Sequence, residues 1–288
     1  MLAIYKREVK SYFTSMIGYV VITAFLLMLG FYYWGYNLDG QSPNMAYTLS
    51  SVSILYIIII PILTMRSFAE EQRQRTDQLL FSAPVTVPEV VWGKFFAIVS
   101  VYSLPFIVIC VMPLILSRFG AVNLLKNYGI ILAFWLLGCV LISLGVFLSS
   151  ITESQIVAAV IAILVNFVLW LMSSIATLIP ASATASVIGF SVLALLVAIF
   201  LFLFTKNIII SGGLFAVVEI AMIVVYFLKS EIFESSFSNV LNSLSVYARF
   251  TGDFVDGTFN LGTIIYYLTF IGLFVYLTMQ SVQKRRWS

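Results

Sequence analysis

Long apolar runs alternate with short polar stretches along this chain. A helix needs about 20 apolar residues to cross roughly 30 Å of hydrocarbon. Runs of about that length lie at 16–36, 46–65, 94–117, 128–150, 155–178, 187–205, 208–228 and 261–279. The pattern therefore predicts an all-α, polytopic membrane protein in which residues 1–288 form one domain with about eight transmembrane helices.

The pair 187–205 and 208–228 is separated only by Lys206 and Asn207. Two readings of this pair stay open, a tight hairpin of two spans and one long bent element near the membrane interface. The segment that follows, 229–260, carries apolar residues at spacings of three and four, which predict an amphipathic helix in part of it. These residues are Ile232, Phe233, Phe237, Val240, Leu241, Leu244 and Tyr247.

Residues 2–14 also carry an apolar stripe at helical spacing, formed by Leu2, Tyr5, Val9 and Tyr12. Lys6, Arg7 and Lys10 fall elsewhere on the helical wheel. This pattern predicts an amphipathic helix in the headgroup region with its lysines toward anionic lipid, so membrane lipid is an expected partner. The alternative is a solvated basic N-terminus.

The distribution of Lys and Arg predicts the orientation, because cytosolic loops carry an excess of both. With the N-terminus inside, the inner segments hold Lys6, Arg7, Lys10, Arg66, Arg73, Arg75, Lys94, Lys206, Lys284, Arg285 and Arg286. The outer segments hold Arg118, Lys126, Lys229 and Arg249. We therefore expect a multi-pass protein of a cell membrane with both termini in the cytosol.

The composition supports the membrane class and excludes several kinds of chemistry. Hydrophobic residues make up 62% of the chain and charged residues 9%, and there is no histidine. A chain without histidine lacks the commonest general base and the commonest metal ligand. Cys110 and Cys139 lie inside apolar runs and are predicted to be packing residues rather than a disulfide or a metal pair. No metal site, catalytic site or nucleic-acid partner is predicted.

The densest charge between spans lies in segment 66–93, which the orientation places in the cytosol. Its first part, Ser67 to Phe81, is predicted to be a helix that continues the second span. Ser82-Ala83-Pro84 would end that helix, and Thr86 would cap a short helix that starts near Pro88. The segment also has an apolar edge, which could enter a groove on a soluble partner. This edge consists of Leu79, Leu80, Phe81, Val85 and Val87. The alternative is a solvated charged loop.

Three further features bear on possible chemistry or partner contacts. Gly93-Lys94 is not a phosphate-binding loop, because Pro88 and Phe95 replace the glycine and the hydroxyl residue which that motif needs. No serine, threonine or cysteine has a base placed by the sequence, so a nucleophilic hydrolase is unsupported. Glu153 lies between the fourth and fifth spans, either as a second partner contact or in a turn capped by Thr152.

Two polar residues within spans complete the candidates. Glu219 lies in the run 208–228, and an intramembrane carboxylate is costly enough to be a candidate for proton or cation binding. It could equally pair with a neighbouring helix or stay protonated in the bundle. Asn166 in the fifth span is predicted to hydrogen-bond between helices.

Four segments together resemble one known family. FAEEQRQRTDQLLFSAPVTVPEVVWGKFFA resembles the cytosolic loop of type-2 ATP-binding cassette (ABC) exporter permeases. YKREVKSYFTSMIGYV, SSITESQIVAA and LTMQSVQKRRW are similar to other parts of that family, particularly its gliding-motility-associated branch. Two departures are Arg75, where the family often has glycine, and residues 187–228, which exceed the usual six spans.

The resemblance implies a permease without an ATPase site of its own and without a bound cofactor. A separate ABC ATPase subunit would hold ATP and Mg, and two permeases with two ATPases would form the working unit. The second permease could be identical or different, or an accessory membrane subunit. The resemblance also implies that residues 2–14 form an interfacial elbow helix, that Arg66 to Lys94 hold a coupling helix, and that the compartment is a bacterial plasma membrane.

The residues expected at the ATPase interface are Glu70, Glu71, Asp77, Leu79, Leu80, Pro84, Val85, Pro88, Glu89 and Glu153. ATP-driven movement of the ATPases would push on Pro84 to Glu89 and move the second and third spans, so that substrate is exported. Two alternatives stay open: a non-pumping anchor that recruits an ATPase, and an ion-coupled secondary transporter that uses Glu219. A membrane-embedded enzyme is disfavoured by the lack of histidine.

Overall fold

The computed structural model describes residues 1–76, 85–205, 208–229, 233–255 and 260–287. It is 86% helical, and the described residues form no strand. The chain folds into two compact units: unit 1 comprises Met1–Trp170 with Arg249–Ser288, and unit 2 comprises Leu171–Ala248. The predicted all-α membrane fold is confirmed.

The first half of the chain forms α1 (Leu2–Thr14), α2 (Ile17–Tyr33), a π-helix (Trp34–Asp39), α3 (Ala46–Val52), a 3₁₀ turn (Ser53–Leu55), α4 (Tyr56–Thr64), α5 (Ala69–Gln74), α6 (Val87–Leu116) and α7 (Leu124–Ile151). The second half forms α8 (Gln155–Leu178), α9 (Ala183–Thr205), α10 (Ile208–Leu228), α11 (Ser236–Leu244), α12 (Val246–Arg249), a second π-helix (Phe250–Val255) and α13 (Leu261–Trp287).

Six helical stretches among the described residues are long and apolar enough to cross a membrane: Ile17–Asp39, Ala46–Gln74, Val87–Leu116, Leu124–Ile151, Gln155–Leu178 and Leu261–Arg285. They match six of the predicted runs. The other two runs correspond to α9 and α10, whose described apolar parts, Ala183–Leu195 and Gly212–Phe227, are shorter. The count of eight spans therefore stays a prediction for this pair.

The fourth span, α7, forms the centre of unit 1. In its most apolar stretch 83% of the residues are buried, against 17% for α8. Gly138 and Gly145 allow this close packing, because a side chain at Gly138 would collide with Tyr102 of α6 and one at Gly145 with Thr64 of α4. Small residues at such positions let helix backbones approach closely in lipid.

Aromatic rings and two hydroxyl groups fill the space between α4, α6 and α7. The Tyr56 and Tyr102 hydroxyl oxygens are 2.5 Å apart. Both hydroxyl oxygens also lie 3.3 Å from the Phe134 carbonyl oxygen of α7, so one hydroxyl donates to the other and the second donates to this carbonyl. The Tyr56 and Phe134 rings stack with their centroids 4.6 Å apart. Because buried hydroxyls need partners, this arrangement fixes the three helices against one another.

Two asparagines order the loop between the first and second spans. Asn127 at the start of α7 accepts from the Met45 amide at 2.9 Å and donates to the Pro43 carbonyl at 3.1 Å. Asn37 in the π-helix donates to the Ser42 carbonyl at 2.8 Å. The Met45 amide and the Ser42 and Pro43 carbonyls of this loop are thereby hydrogen-bonded within the protein.

In unit 2 the helices α9 and α10 pack against each other, and α11 lies within the segment 229–260. Leu241 is the buried residue of α11, whereas Val240 and Leu244 of the predicted apolar stripe are 38% and 42% exposed. Gly189 of α9 lies against the ring of Phe237. The Ser238 hydroxyl donates to the Ala176 carbonyl at 2.8 Å, which ties α11 to the end of α8 within this unit.

Candidate functional site

The N-terminal helix α1 packs on the end of unit 1 from which the segment 66–93 emerges. Its packed face consists of Ile4, Glu8 and Tyr12, which follow one another at intervals of four residues. Ile4 lies against Gly93 of α6, where an added Cβ would be 3.3 Å from the Ile4 Cγ2 atom. The Tyr12 hydroxyl donates to the Leu63 carbonyl near the end of α4 at 2.7 Å.

This face differs from the predicted apolar stripe in one important respect. Leu2 was expected to face the apolar side, but it is 68% exposed. The packed face instead includes the carboxylate of Glu8 because α6 and α4 offer polar partners on that side. The helix expected over residues 2–14 is present, and its position at the membrane interface stays a prediction, in which the exposed Leu2 would face lipid.

Lys94 of α6 is the partner of Glu8 and is only 1% exposed. Its Nζ atom lies 3.1 Å from Glu8 Oε1 and 3.0 Å from Glu71 Oε2, and it donates to the Ser67 carbonyl at 2.6 Å. A lysine ammonium has three N–H donors, so each donor has one acceptor here. The Lys94 ammonium is therefore buried with all of its donors paired. A buried charge is stable in a protein only when it is paired in this way.

Arg7 completes the site from the exposed side. Its guanidinium lies 2.9 Å from Glu8 Oε1 and 2.6 Å from Glu71 Oε1. We refer to Arg7, Glu8, Glu71 and Lys94 as the Lys94 cluster. It balances two cations with two carboxylates and joins three elements: α1, α5 and the third span.

The electrostatics of the cluster favour ionised Glu8. Burial by itself acts to raise the pKa of the Glu8 carboxyl, but the charge of Lys94, the hydrogen bonds from Arg7 and Lys94, and the charge of Arg7 act against it. The net result is a Glu8 pKa below its ordinary value. The carboxylate thus stays charged near neutral pH, which the buried Lys94 needs.

The second span ends in a turn that α7 stabilises. The hydroxyl of Ser149 in α7 accepts from the Phe68 and Ala69 amides, each at 3.1 Å, and donates to the Met65 carbonyl at 3.1 Å. Gln72 of α5 donates to the Ser150 carbonyl at 3.0 Å. The last turn of α7 therefore holds both sides of the break between α4 and α5.

These contacts correct the predicted helix from Ser67 to Phe81. The helix α5 begins at Ala69 and ends at Gln74, and residues 77–81 lie outside the described part of the chain. The helix starts late because the Ser67 carbonyl is bound by Lys94 and the two following amides are bound by Ser149.

A left-handed residue ends α5. Arg75 has φ 55° and lies in the left-handed region, which costs a residue with a side chain about 1 kcal/mol or more. The Arg75 amide donates to the Gln72 carbonyl at 3.2 Å and the Thr76 amide to the Glu71 carbonyl at 3.0 Å. This pair of bonds is the Schellman arrangement, which usually has glycine at the left-handed position. The conformation explains why glycine suits this position in the family that the sequence resembles.

The third span begins with the predicted cap. The Thr86 amide and hydroxyl both donate to Glu89 Oε2, at 3.0 and 2.9 Å, and form a capping box at the start of α6. Thr86 as N-cap is therefore confirmed. Val85 is half-buried and Pro88 is exposed.

The remaining interface candidates differ in their surroundings. Glu70 pairs with Arg66 within 2.8 Å, one helical turn away. Glu153 is exposed and makes no hydrogen bond or ion pair with the described part of the chain. Thr152 does not cap the next helix, since its hydroxyl donates back to the Leu148 carbonyl at 3.3 Å. Four further candidates lie outside the described residues: Asp77, Leu79, Leu80 and Pro84.

The C-terminal helix also contacts the last turn of α7. The Ser281 hydroxyl donates to the Ser150 carbonyl at 3.3 Å, and Arg285 donates to the Ile151 carbonyl at 3.1 Å. Since Gln72 binds the same Ser150 carbonyl, α5 and α13 meet at the end of the fourth span.

The intramembrane candidates do not join the Lys94 cluster. In unit 2, Glu219 Oε2 accepts from the Ser191 hydroxyl of α9 at 3.0 Å, and Oε1 has no hydrogen-bond partner among the described residues. Asn166 in α8 is 1% exposed, and neither atom of its amide group finds a partner in the described chain. The interhelical bond predicted for Asn166 is thus not found there.

The described residues contain no group of three side chains suited to a metal ion. At this end of unit 1 a buried cation connects the side of α6 to α1 and to α5, the helix that follows the second span. A protein-family model of the ABC-2 family transporter protein matches residues 33–188, more than half of the chain. The chain belongs to the ABC-2 transporter family. Curated proteins give no match to it.

The ABC-2 match spans part of the Lys94 cluster. Residues 33–188 include Glu71, Lys94 and Ser149, whereas Arg7 and Glu8 lie before them. The family assignment supports a membrane-embedded transporter permease. The match covers the second to fifth spans, and the second to fourth of these form the buried centre of unit 1.

Sequence reasoning missed the importance of Lys94, Glu8 and Ser149. Two signals were present: a lysine at the start of an apolar run, and one acid in an otherwise basic helix. Neither identifies its partner, because Glu8 and Lys94 are 86 residues apart in the sequence.

Proposed function

We propose that this ABC-2 chain is the permease subunit of an ATP-driven exporter. A separate ABC ATPase subunit would bind and hydrolyse ATP with Mg, and the segment 66–93 would carry its motion to the second and third spans. The observation that carries this proposal is the Lys94 cluster, which links α5, α1 and the third span at the point where that segment leaves unit 1.

The described ends of the segment are both held firmly. On one side α5 is bound to α7 through Ser149 and Gln72. On the other side the Thr86–Glu89 capping box starts α6, which runs unbroken for 30 residues. A force on the stretch between them would act on α6, which continues as one helix through Pro105 and Pro113 and would carry the displacement along its length. Differential binding of the ATPase in its two states would supply the energy.

Exposed side chains in and near the segment are available to a soluble partner. Arg73 and Gln74 are exposed at the end of α5, Pro88 at the start of α6, and Glu153 in the turn after α7. The apolar residues Leu79 and Leu80 are the expected anchors in a groove of the ATPase. The turn with Glu153 would form a second contact.

The assembly expected for this function contains two ATPase subunits and two membrane subunits. The second membrane subunit would be another copy of this chain or a different permease. The segment 66–93 and both termini would face the cytosol of a bacterial cell, and the gliding-motility-associated permeases are the branch that the sequence resembles.

The test is co-purification with the ABC ATPase encoded nearest to this chain. We compare wild type with the double variant Leu79→Arg/Leu80→Arg and with a matched pair, Leu124→Arg/Leu125→Arg, at the start of α7. Leu124 and Leu125 are exposed by 36% and 86%, so charge there should be tolerated. We expect wild type and the matched pair to carry stoichiometric ATPase, and the first double variant to lose it at an unchanged melting temperature. No bound ATPase, or equal retention by both variants, would overturn the proposal.

A second measurement separates a pumping permease from a non-pumping anchor. Ser117 directly follows α6 and is exposed, so a Ser117→Cys variant that also carries Cys110→Ser offers an accessible thiol for an environment-sensitive fluorophore. The proposal predicts an emission change when the bound ATPase receives ATP, because α6 moves. An anchor predicts no change. An ion-coupled transporter predicts instead a response to an ion gradient that Glu219→Gln abolishes without any ATPase.

A further inference from the structure

An apolar groove runs between the first and second spans of unit 1. It has a volume of about 620 Å³ and is lined on one side by α2 and on the other by residues 55–62. All of its lining side chains are apolar. Val21 and Ile59 form the floor of the groove and are 5% and 7% exposed. Its exposed sides consist of Val20, Leu27, Met28 and Ile58.

The dimensions of the groove suit a single hydrocarbon chain. Its lining on α2 extends from Met16 to Phe31. At 1.5 Å per residue this length is about 22 Å. One leaflet contributes about half of the roughly 30 Å hydrocarbon thickness, so an acyl chain of that leaflet can lie along the groove. Ala24 lies midway and keeps the groove open, because its side chain is short.

The groove begins beside a positively charged part of α1. Met16 follows directly after Ser15, which ends α1. Lys6 and Lys10 are exposed, lie one turn apart on α1, and form no ion pair within the described chain. The single acid of this helix, Glu8, is bound by Lys94 and Arg7. The two lysines are thus left without a protein counter-ion on the helix that leads directly into the groove.

We infer that this groove is a binding site for one anionic phospholipid. An acyl chain lies along α2 over Val21 and Ile59, and the phosphate group lies at the end of α1 near Lys10 and Lys6. The charge pattern selects this occupant over a second copy of the chain, since an apolar helix would leave both lysines unpaired. Each lysine near an anionic surface contributes about 1 kcal/mol, or about fivefold in affinity. This site requires no ATPase and is independent of the proposed function.

The experiment measures retained lipid by native mass spectrometry after extraction from membranes that contain phosphatidylglycerol and phosphatidylcholine. Ala24→Trp fills the groove. The matched control is Thr23→Trp, because Thr23 is the adjacent exposed residue of α2 and does not line the groove. A third variant, Lys6→Gln/Lys10→Gln, removes the charges and leaves the groove intact.

We expect wild type and Thr23→Trp to retain one phosphatidylglycerol per chain. The amount retained by Ala24→Trp should be at least tenfold lower. The double lysine variant should still retain a phospholipid. Its preference for phosphatidylglycerol over phosphatidylcholine should fall about twentyfold or more. Equal retention by the two tryptophan variants would overturn the inference, as would a headgroup preference that the lysine variant leaves unchanged. Loss of a dimer in Ala24→Trp with unchanged lipid would instead assign the groove to a second copy.

Discussion

Lys94 of the third span and Glu8 of the N-terminal helix are joined by an ion pair of 3.1 Å across 86 residues of sequence. The lysine is buried, and the carboxylate is 15% exposed. A pair of this kind contributes little net stability compared with an apolar pair, but removing one partner leaves an uncompensated charge. The cluster therefore fixes the position of α1 and α5 on the third span more than it strengthens the fold.

Replacing Lys94 should be far more harmful than replacing Arg7. Lys94→Met leaves Glu8 and Glu71 facing each other without the buried cation, and the expected loss is about 3–5 kcal/mol. Arg7→Met removes a side chain that is 56% exposed, and the expected loss is below about 1 kcal/mol. Reversible unfolding in mixed micelles measures both values. Equal losses would show that Lys94 is not the centre of the cluster.

Acidification should weaken the cluster through Glu8. The Glu8 pKa is lower in the folded protein than in the unfolded chain, so the folded state favours the ionised form. This contribution is fully present above the ordinary glutamate pKa of about 4.3 and is lost as the pH falls through the lower, folded value. Melting temperatures between pH 3 and 7 should show this loss in wild type and a flatter profile in Glu8→Gln. Identical profiles would contradict the assignment.

Glycine at position 75 should stabilise the end of α5. Arg75 adopts φ 55°, and glycine reaches this conformation without a steric cost, so Arg75→Gly should raise stability by about 1 kcal/mol. The matched control is Arg73→Gly, two residues earlier within α5, where glycine should lower stability by about 1 kcal/mol. Both substitutions remove one arginine charge. If they change the free energy of unfolding in opposite directions, the difference comes from the backbone conformation at position 75.

The hydroxyl of Ser149 should be needed for the break between α4 and α5. Ser149→Ala leaves the Phe68 and Ala69 amides without their acceptor, and the expected loss is about 1–3 kcal/mol. Ser117→Ala is the control, because the Ser117 hydroxyl is exposed and donates only to the nearby Leu114 carbonyl. Faster amide hydrogen exchange at residues 68–69 in Ser149→Ala alone would confirm the role. Unchanged exchange would refute it.

The hydrophobic pattern predicts the spans well because each span must be apolar over a length set by the bilayer. The Thr86 cap was also predictable, since its partner Glu89 lies three residues away. The Lys94 cluster was not predictable, because its members come from α1, α5 and α6. The face that α1 packs depends on the Leu63 carbonyl and on Lys94, and no helical wheel of α1 contains either group.

The bounds of α5, after the second span, were also not predictable from the local sequence. The composition of Ser67 to Phe81 favours a helix, but the Ser149 hydroxyl and Lys94 compete for its first backbone groups. Arg75 gives no local sign of a left-handed conformation, because arginine rarely adopts it. Only the glycine of related sequences indicated that something unusual occurs at this position.

The bond from Tyr12 to the Leu63 carbonyl has a consequence for how this protein enters a membrane. A helix end leaves its last carbonyls without partners, and such groups are expensive in hydrocarbon. During synthesis Tyr12 emerges before Leu63, so the tyrosine is already present when the second span is released into lipid. Glu8 likewise precedes Lys94 in the chain, so the carboxylate that pairs with this buried lysine is synthesised before it. The Leu63 carbonyl and Lys94 therefore each have a hydrogen-bonding partner that is synthesised earlier.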